Sequence, residues 1–314
     1  MKTEESFENR RSCEAHPPPD LPAAVELAHG NAISLDWRQR LTLGILLPRG
    51  RFAWWYSLLG CVLAAVILVA LVWGLLGTAW FMPASVVAPG LAFALAALLA
   101  PVLASKRLYV QDYPVISLRL LVWQGGVVIG MTVLLQVLVN LFEAFVPEAK
   151  RASETVSHAL GFGQKIGWDV ALVLGIAAVA PLGEDLLFRG LIYRSLRDGL
   201  AQWLPFKASA VLGLAVSSAL FAVVHVGEGQ VTQWPALFVV GVLLALAYEW
   251  TGSLLAAMLI HSLNNAWAVA VTLMMPGISV SSPWLYALVA ASPLLVGGVG
   301  LAAALLAAKL QAAE

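Results

Sequence analysis

Long apolar runs dominate this chain of 314 residues and leave few folds open to it. Hydrophobic residues make up 61% of the sequence and charged residues only 11%, whereas a soluble domain carries about a quarter charged residues. A helix needs roughly 20 apolar residues to cross a bilayer, and about eight runs approach that length. These runs are 54–77, 84–104, 118–142, 167–186, 208–227, 234–250, 252–273 and 284–308. The sequence therefore predicts an all-α fold, a polytopic membrane bundle of about eight transmembrane helices.

Polar segments divide the chain into parts. Residues 1–36 carry few large apolar side chains and no periodicity, which predicts a disordered cytoplasmic tail. Residues 37–53 are a juxtamembrane basic segment, and 54–164 hold the N-terminal transmembrane helices. The polar motifs fall within 165–275, and 276–314 comprise the last transmembrane helix and the C-terminal end.

Basic residues are spread unevenly over the loops between these runs. They precede the first run, follow the second, separate the fourth from the fifth and end the eighth: Arg38, Arg40, Arg49, Arg51, Lys106, Arg107, Arg194, Arg197, Lys207 and Lys309. Because cytoplasmic loops are rich in Lys and Arg, this pattern predicts a multi-pass protein of the cell (inner) membrane with both termini in the cytoplasm. The net charge is zero and no basic patch is present, so we expect lipid and not nucleic acid as a partner.

Three polar clusters interrupt the apolar runs. An ionisable side chain at membrane depth costs about 3 kcal/mol and usually faces a bundle interior or a wet cavity, which makes such residues candidates for function. The clusters are Glu184-Asp185 with Arg189, then His225, then His261 with Asn265.

The first cluster has the spacing of a helical ion pair. Residues four apart share a helix face, so Asp185 and Arg189 can pair, while Glu184 is rotated by about 100° and points elsewhere. Pro181 and Gly183 would loosen the helix just before it. The alternative is that Glu184 and Asp185 are the wet cytoplasmic end of a span and Arg189 is its basic flank.

The two histidines are each paired with a residue one turn away. Phe221 lies one turn before His225 and can pack against its ring, while Asn265 follows His261 on the same face, so that both present hydrogen-bonding groups to one point. Taken singly, His225 can also be an interfacial cap. His261 with Asn265 can be a polar clamp between helices.

Together the clusters resemble the three motifs of the CPBP family, which comprises CAAX proteases and bacteriocin-processing enzymes and is also called the Abi family. That family carries Glu-Glu-x-x-x-Arg, Phe-x-x-x-His and His-x-x-x-Asn on successive membrane helices. Here they read Glu184-Asp185-x-x-x-Arg189, Phe221-x-x-x-His225 and His261-x-x-x-Asn265. The resemblance covers 165–275, which would be the catalytic core. The second Glu of the family is Asp185 in this chain, and we expect Asp185 still to reach Arg189.

The resemblance implies an intramembrane endopeptidase of the glutamic type that acts on a membrane-anchored peptide or protein tail and needs no cofactor. Glu184 would be the general base, and His225 would hold the attacking water or share its proton. His261 and Asn265 would donate hydrogen bonds to the oxyanion. Asp185 and Arg189 would fix the helix that carries Glu184, with Phe221 in a supporting place.

Three other functions remain open. Glu184, His225 and His261 can be read as zinc ligands of a metalloprotease, although no His-Glu-x-x-His helix is present. Embedded charges also serve proton relays in transporters. A non-catalytic scaffold could retain the same residues.

Simple counting places Glu184 and His225 at different depths. Glu184 falls near the cytoplasmic end of the fourth run and His225 near the opposite end of the fifth. They can meet only if the fourth helix continues to about residue 196, or if the fifth is short or tilted.

Overall fold

The computed structural model describes residues 53–105, 118–225, 231–278, 280 and 282–311, so the predicted tail and all but the last residue of the basic segment lie outside the described residues. The described part contains helices and no strand. The helices are α1 (Trp55–Leu75), α2 (Phe81–Ser105), α3 (Leu118–Phe145), α4 (Pro147–Ala159), α5 (Ile166–Leu200), α6 (Phe206–Val224), α7 (Trp234–Thr251), α8 (Leu254–Leu273) and α9 (Trp284–Gln311). Eight of these, all except α4, are long and apolar enough to cross a membrane, which confirms the predicted all-α polytopic bundle.

Helix α5 is much longer than the predicted fourth run. It has 35 residues, about 50 Å of helix against a hydrocarbon core of about 30 Å, and Glu184 is the nineteenth of them. The predicted end at residue 186 was therefore wrong, and the helix continues to Leu200. This extension places Glu184 at mid-helix, so one of the two conditions for a meeting with His225 is fulfilled.

The helix can continue because its charges are buried and paired. Arg197 donates to Glu249 of α7 at 2.6 Å and to Asp198 at 2.7 Å, and Arg194 lies 3.4 Å from Asp198. Tyr193 also donates to Glu249. Arg194 and Arg197 are almost fully buried, so their interpretation as exposed basic loop residues was wrong.

Helices α2 and α5 cross in backbone contact next to the first polar motif. A Cβ built on Gly183 would lie 1.8 Å from the carbonyl oxygen of Gly90, and a Cβ on Gly90 would lie 2.7 Å from the carbonyl oxygen of Val179. Small residues allow two membrane helices to approach this closely. The crossing fixes the position of α5 one residue before Glu184.

Two connections shape the opposite ends of the bundle. Helices α7 and α8 form a tight hairpin, and Gly252 ends α7 with φ +64°, a left-handed conformation that favours glycine. The mixed-charge stretch after α3 folds into α4, a 13-residue amphipathic helix that is too short to span and packs against α3 and α8.

Candidate active site

Glu184 of α5 lies between two imidazole rings. Its Oε2 atom is 3.4 Å from Nε2 of His225 and 3.6 Å from Nε2 of His261. Glu184 and His261 are buried, whereas the side chain of His225 is 29% exposed. The structure thus brings together one ionisable residue from each of the three motifs. Of these, His225 is the most exposed to solvent.

His225 is held by the helix that it ends. It is the C-terminal cap of α6, and its Nδ1 lies 2.7 Å from the carbonyl oxygen of Phe221. Because a carbonyl oxygen only accepts, Nδ1 carries the hydrogen of this bond. The other ring nitrogen, Nε2, is then an acceptor in the neutral ring and faces an acceptor oxygen of Glu184. The two acceptors are compatible when a proton lies between them or when one water donates a hydrogen to each, so this arrangement can hold a water and receive its proton.

The predicted pair between Asp185 and Arg189 is present and buried. Arg189 Nη1 lies 2.9 Å from Asp185 Oδ1, and Arg189 Nη2 donates to the carbonyl oxygen of Gly241 on α7 at 3.4 Å. The second oxygen of Asp185 has a contact that the sequence did not indicate, because it lies 3.4 Å from Nδ1 of His261. Asp185 therefore links the α5 motif to the α8 motif.

Phe221 packs at the centre of these groups. Its ring centroid is 4.4 Å from that of His225 and 5.7 Å from that of His261. The guanidinium carbon of Arg189 lies 4.3 Å from the same ring, close enough for a cation–π contact. The four-residue spacing of Phe221 and His225 thus brings an apolar ring against both histidines.

The backbone of α5 departs from α-helical geometry on both sides of Glu184. Gly175–Val179 and Leu186–Tyr193 are π-helical. Such segments are rare and often occur at functional sites. The second is supported by Ser217 of α6, which donates to the carbonyl oxygen of Phe188 at 2.6 Å.

Pro181 explains what Asn265 and Ser262 do in the structure. Proline lacks an N–H, so the carbonyl oxygen of Ala177, four residues before it, loses its α-helical donor, and the carbonyl oxygen of Ile176 lies in the adjoining π-helical segment. Ser262 donates to Ala177, and Asn265 Nδ2 donates to Ile176 at 2.9 Å. The Asn265 amide, expected to face an oxyanion, therefore holds α8 against α5 with one hydrogen and has a second hydrogen left on Nδ2.

Sequence reasoning overlooked Ser262, although a signal for it exists. A proline inside an apolar helix predicts free carbonyl oxygens one turn earlier, and polar side chains three apart on a neighbouring helix are suitable donors. Ser262 and Asn265 have that spacing.

A metal site was the main alternative for this cluster. Within the described residues, no group of three His, Cys, Asp or Glu side chains is arranged to hold a metal ion. The reading of Glu184, His225 and His261 as zinc ligands thus gains no support from the geometry. Independence from a cofactor stays a prediction.

Comparisons with known proteins cover this same region. Residues 166–267 match the family model described as type II CAAX prenyl endopeptidase Rce1-like. This region is thus similar to CAAX proteases. The chain is also 30% identical over 101 residues to the membrane-embedded CAAX protease MroQ of Staphylococcus aureus (strain USA300). That alignment covers 32% of this chain and 39% of the length of the relative. No solved structure matches the chain significantly.

Proposed function

We propose that this protein is an intramembrane endopeptidase that hydrolyses a peptide bond in a membrane-anchored peptide or protein tail, with Glu184 as the general base. The observation that carries the proposal is the position of the Glu184 carboxylate between the Nε2 atoms of His225 and His261. The match to the CAAX protease family and the similarity to a membrane-embedded CAAX protease support the reaction class.

The first step is attack by water. A water molecule that bridges Glu184 and His225 gives one proton to the carboxylate while its oxygen bonds to the carbonyl carbon of the substrate. Glu184 Oε2 and His225 Nε2 lie 3.4 Å apart, so one water can contact both groups. His225, fixed by the Phe221 carbonyl, orients this water.

The second step is collapse of the tetrahedral intermediate. His261 and the remaining amide hydrogen of Asn265 donate to the oxyanion, an effect of about 3 kcal/mol per donor in known hydrolases. The C–N bond then breaks, and Glu184 returns its proton to the leaving amine. The products are a carboxylic acid and an amine, and Glu184 is again a carboxylate.

We further propose that the protein lies in the cell membrane with both termini in the cytoplasm. Lys207, exposed at the start of α6, then marks the cytoplasmic side, and α4 and His225 lie at the opposite end of the bundle. In a variant without native cysteines, a single cysteine at Glu154 should react in intact cells with a maleimide that cannot cross the membrane. A cysteine at Lys207 should react only after lysis, and the reverse result would invert the topology.

The decisive experiment compares wild type with Glu184→Gln, because glutamine keeps the shape of glutamate and cannot accept the proton. New peptide termini in membranes from cells expressing each protein are identified by mass spectrometry. Termini present with wild type and absent with Glu184→Gln support the proposal. Glu148→Gln is the control, since Glu148 is exposed on α4 and pairs with Arg151.

A peptide identified in this way is then cleaved by purified protein in detergent. Cleavage that persists with a strong chelator supports the glutamate mechanism. Cleavage that the chelator abolishes and added zinc restores would establish the metal-dependent alternative. Termini unchanged by Glu184→Gln would contradict the base assignment and favour a transporter or scaffold.

A further inference from the structure

A second feature of the bundle is a cavity of about 420 Å³ that lies beneath α4. It is lined by α3, α4, α7 and α8, and its volume is within the range of small-molecule sites. Part of its wall is apolar, including Leu237, Val240 and Trp267. The rest is polar: Gln136, Asn140, Glu143, Lys150, Ser153, Glu154, Ser157, Gln233 and Asn264.

The cavity carries a negatively charged wall. Glu143 accepts a hydrogen bond from Ser153 Oγ at 2.7 Å, and Gln233 in turn donates to Ser153 Oγ at 2.9 Å. Glu143 is half-buried and held in place by this chain of contacts. Glu154 adds a second carboxylate, and Lys150 is the one cation among the lining residues. A cationic guest is therefore favoured over an anionic one.

A row of amides connects the cavity to the candidate active site. Gln136 donates to Asn264 Oδ1 at 2.9 Å, and Asn264 donates to Asn265 Oδ1 at 3.2 Å. Gln136 and Asn264 line the cavity, whereas Asn265 binds the Ile176 carbonyl of α5. Asn264 in the cavity wall is thus one hydrogen bond away from Asn265, the residue expected to bind the oxyanion.

An apolar pocket of about 200 Å³ continues from the cavity between α3 and α7. The two spaces share Val139, Phe142 and Ala236. The pocket is otherwise lined by Leu135, Leu138, Pro235 and Val239. The combined site therefore offers a charged polar chamber next to a purely apolar one.

We infer that these two spaces bind the segment of the peptide substrate next to the scissile bond and select a cationic side chain beside an apolar one. The inference rests on the proposed endopeptidase function, because it assigns a specificity site to that reaction. Glu143 binds the cation, the α3–α7 pocket takes the apolar side chain, and the amide row fixes Asn265 when the cavity is filled.

Binding is tested in the Glu184→Gln background, where no cleavage occurs. The probes are fluorescent peptides of leucine and alanine with a blocked N-terminus and one central lysine, and matched peptides with norleucine or glutamate in its place. We expect fluorescence anisotropy in detergent to show tighter binding of the lysine peptide. Addition of Glu143→Gln should weaken that binding about tenfold and leave the norleucine peptide unchanged, because a charge-assisted contact is lost.

The control is Glu148→Gln in the same background, which removes the same charge from the outer face of α4. Thermal unfolding of each variant verifies that the fold is kept. Equal binding of all three peptides, or a loss with Glu148→Gln as large as that with Glu143→Gln, would overturn the inference. The binding assay does not require cleavage. If the lysine peptide binds preferentially but wild type cleaves no peptide, the proposed function is refuted and the cation site is retained.

Discussion

The carboxylate of Asp185 contacts His261 across the interface between α5 and α8, with Oδ2 at 3.4 Å from Nδ1 of the ring. Its other oxygen is 2.9 Å from Arg189. A carboxylate placed beside Nδ1 holds the ring from that side and leaves Nε2 directed at Glu184. Asp185 is therefore a positioning residue for His261 as well as the partner of an arginine.

We expect Asp185→Asn to lose both stability and activity. The buried Arg189 would lose its ion-pair partner, and breaking a buried pair from one side costs about 3–5 kcal/mol. Asp185→Glu, which restores the residue typical of the family, should recover most of the stability. Unfolding in detergent and the cleavage assay measure the two effects. An Asn variant as stable as wild type would contradict the role of the pair.

The bond between Ser262 and Ala177 should depend on Pro181. Ser262→Ala removes a donor from a carbonyl that the proline leaves free, a loss of about 0.6 kcal/mol by comparison with other membrane hydrogen bonds. In a Pro181→Ala background the helix supplies an N–H to the same carbonyl. We expect the cost of Ser262→Ala to fall toward zero there. A double-mutant cycle of unfolding free energies measures the difference, and equal costs in both backgrounds would exclude this explanation.

The crossing of α2 and α5 should tolerate no added atom. A methyl group at Gly183 would overlap the carbonyl of Gly90, so Gly183→Ala must separate the helices and displace Glu184. We expect activity to fall at least tenfold, since small displacements of catalytic groups cost about that much or more. Gly126→Ala on α3 is the control, because a Cβ there meets nothing within 4 Å. If Gly183→Ala is fully active, the contact does not position the site.

Two glutamates offer a comparison of buried and exposed charge. Glu249 pairs with Arg197 in the interior, so Glu249→Gln should reduce the free energy of unfolding by about 3–5 kcal/mol. Glu148 pairs with Arg151 at the surface, and Glu148→Gln should change it by less than about 1 kcal/mol. Denaturation of both variants under one condition measures the contrast. Similar losses would mean that burial does not set the strength of the α5–α7 network.

The sequence predicted most of the bundle because its signals are local. Apolar length identified the spans, and the four-residue spacing predicted the contact between Asp185 and Arg189. The contact between Asp185 and His261 escaped prediction because it depends on how two helices are rotated against each other. Hydrophobic periodicity carries little of that information in a membrane, where helices are apolar on every side.

The length of α5 and its π segments were missed for a related reason. A count of apolar residues ends a helix at the first charges, so the fourth run ended at 186, and Arg194 and Arg197 were assigned to the loop beyond it. Their partners, Asp198 and Glu249, neutralise them in the interior. The catalytic roles stay predictions for Glu184, His225, His261 and Asn265. The structure shows both imidazole rings near one carboxylate oxygen of Glu184.

The contact between Gly90 and Gly183 also bears on the smallest unit that can work. Gly90 lies on α2, outside the region that matches the protease family, yet its backbone is the surface on which α5 rests. A shortened protein that begins at residue 166 would keep every motif and lose that surface. The N-terminal helices, which carry no motif of their own, are therefore an obligatory part of the folded bundle and not an added module.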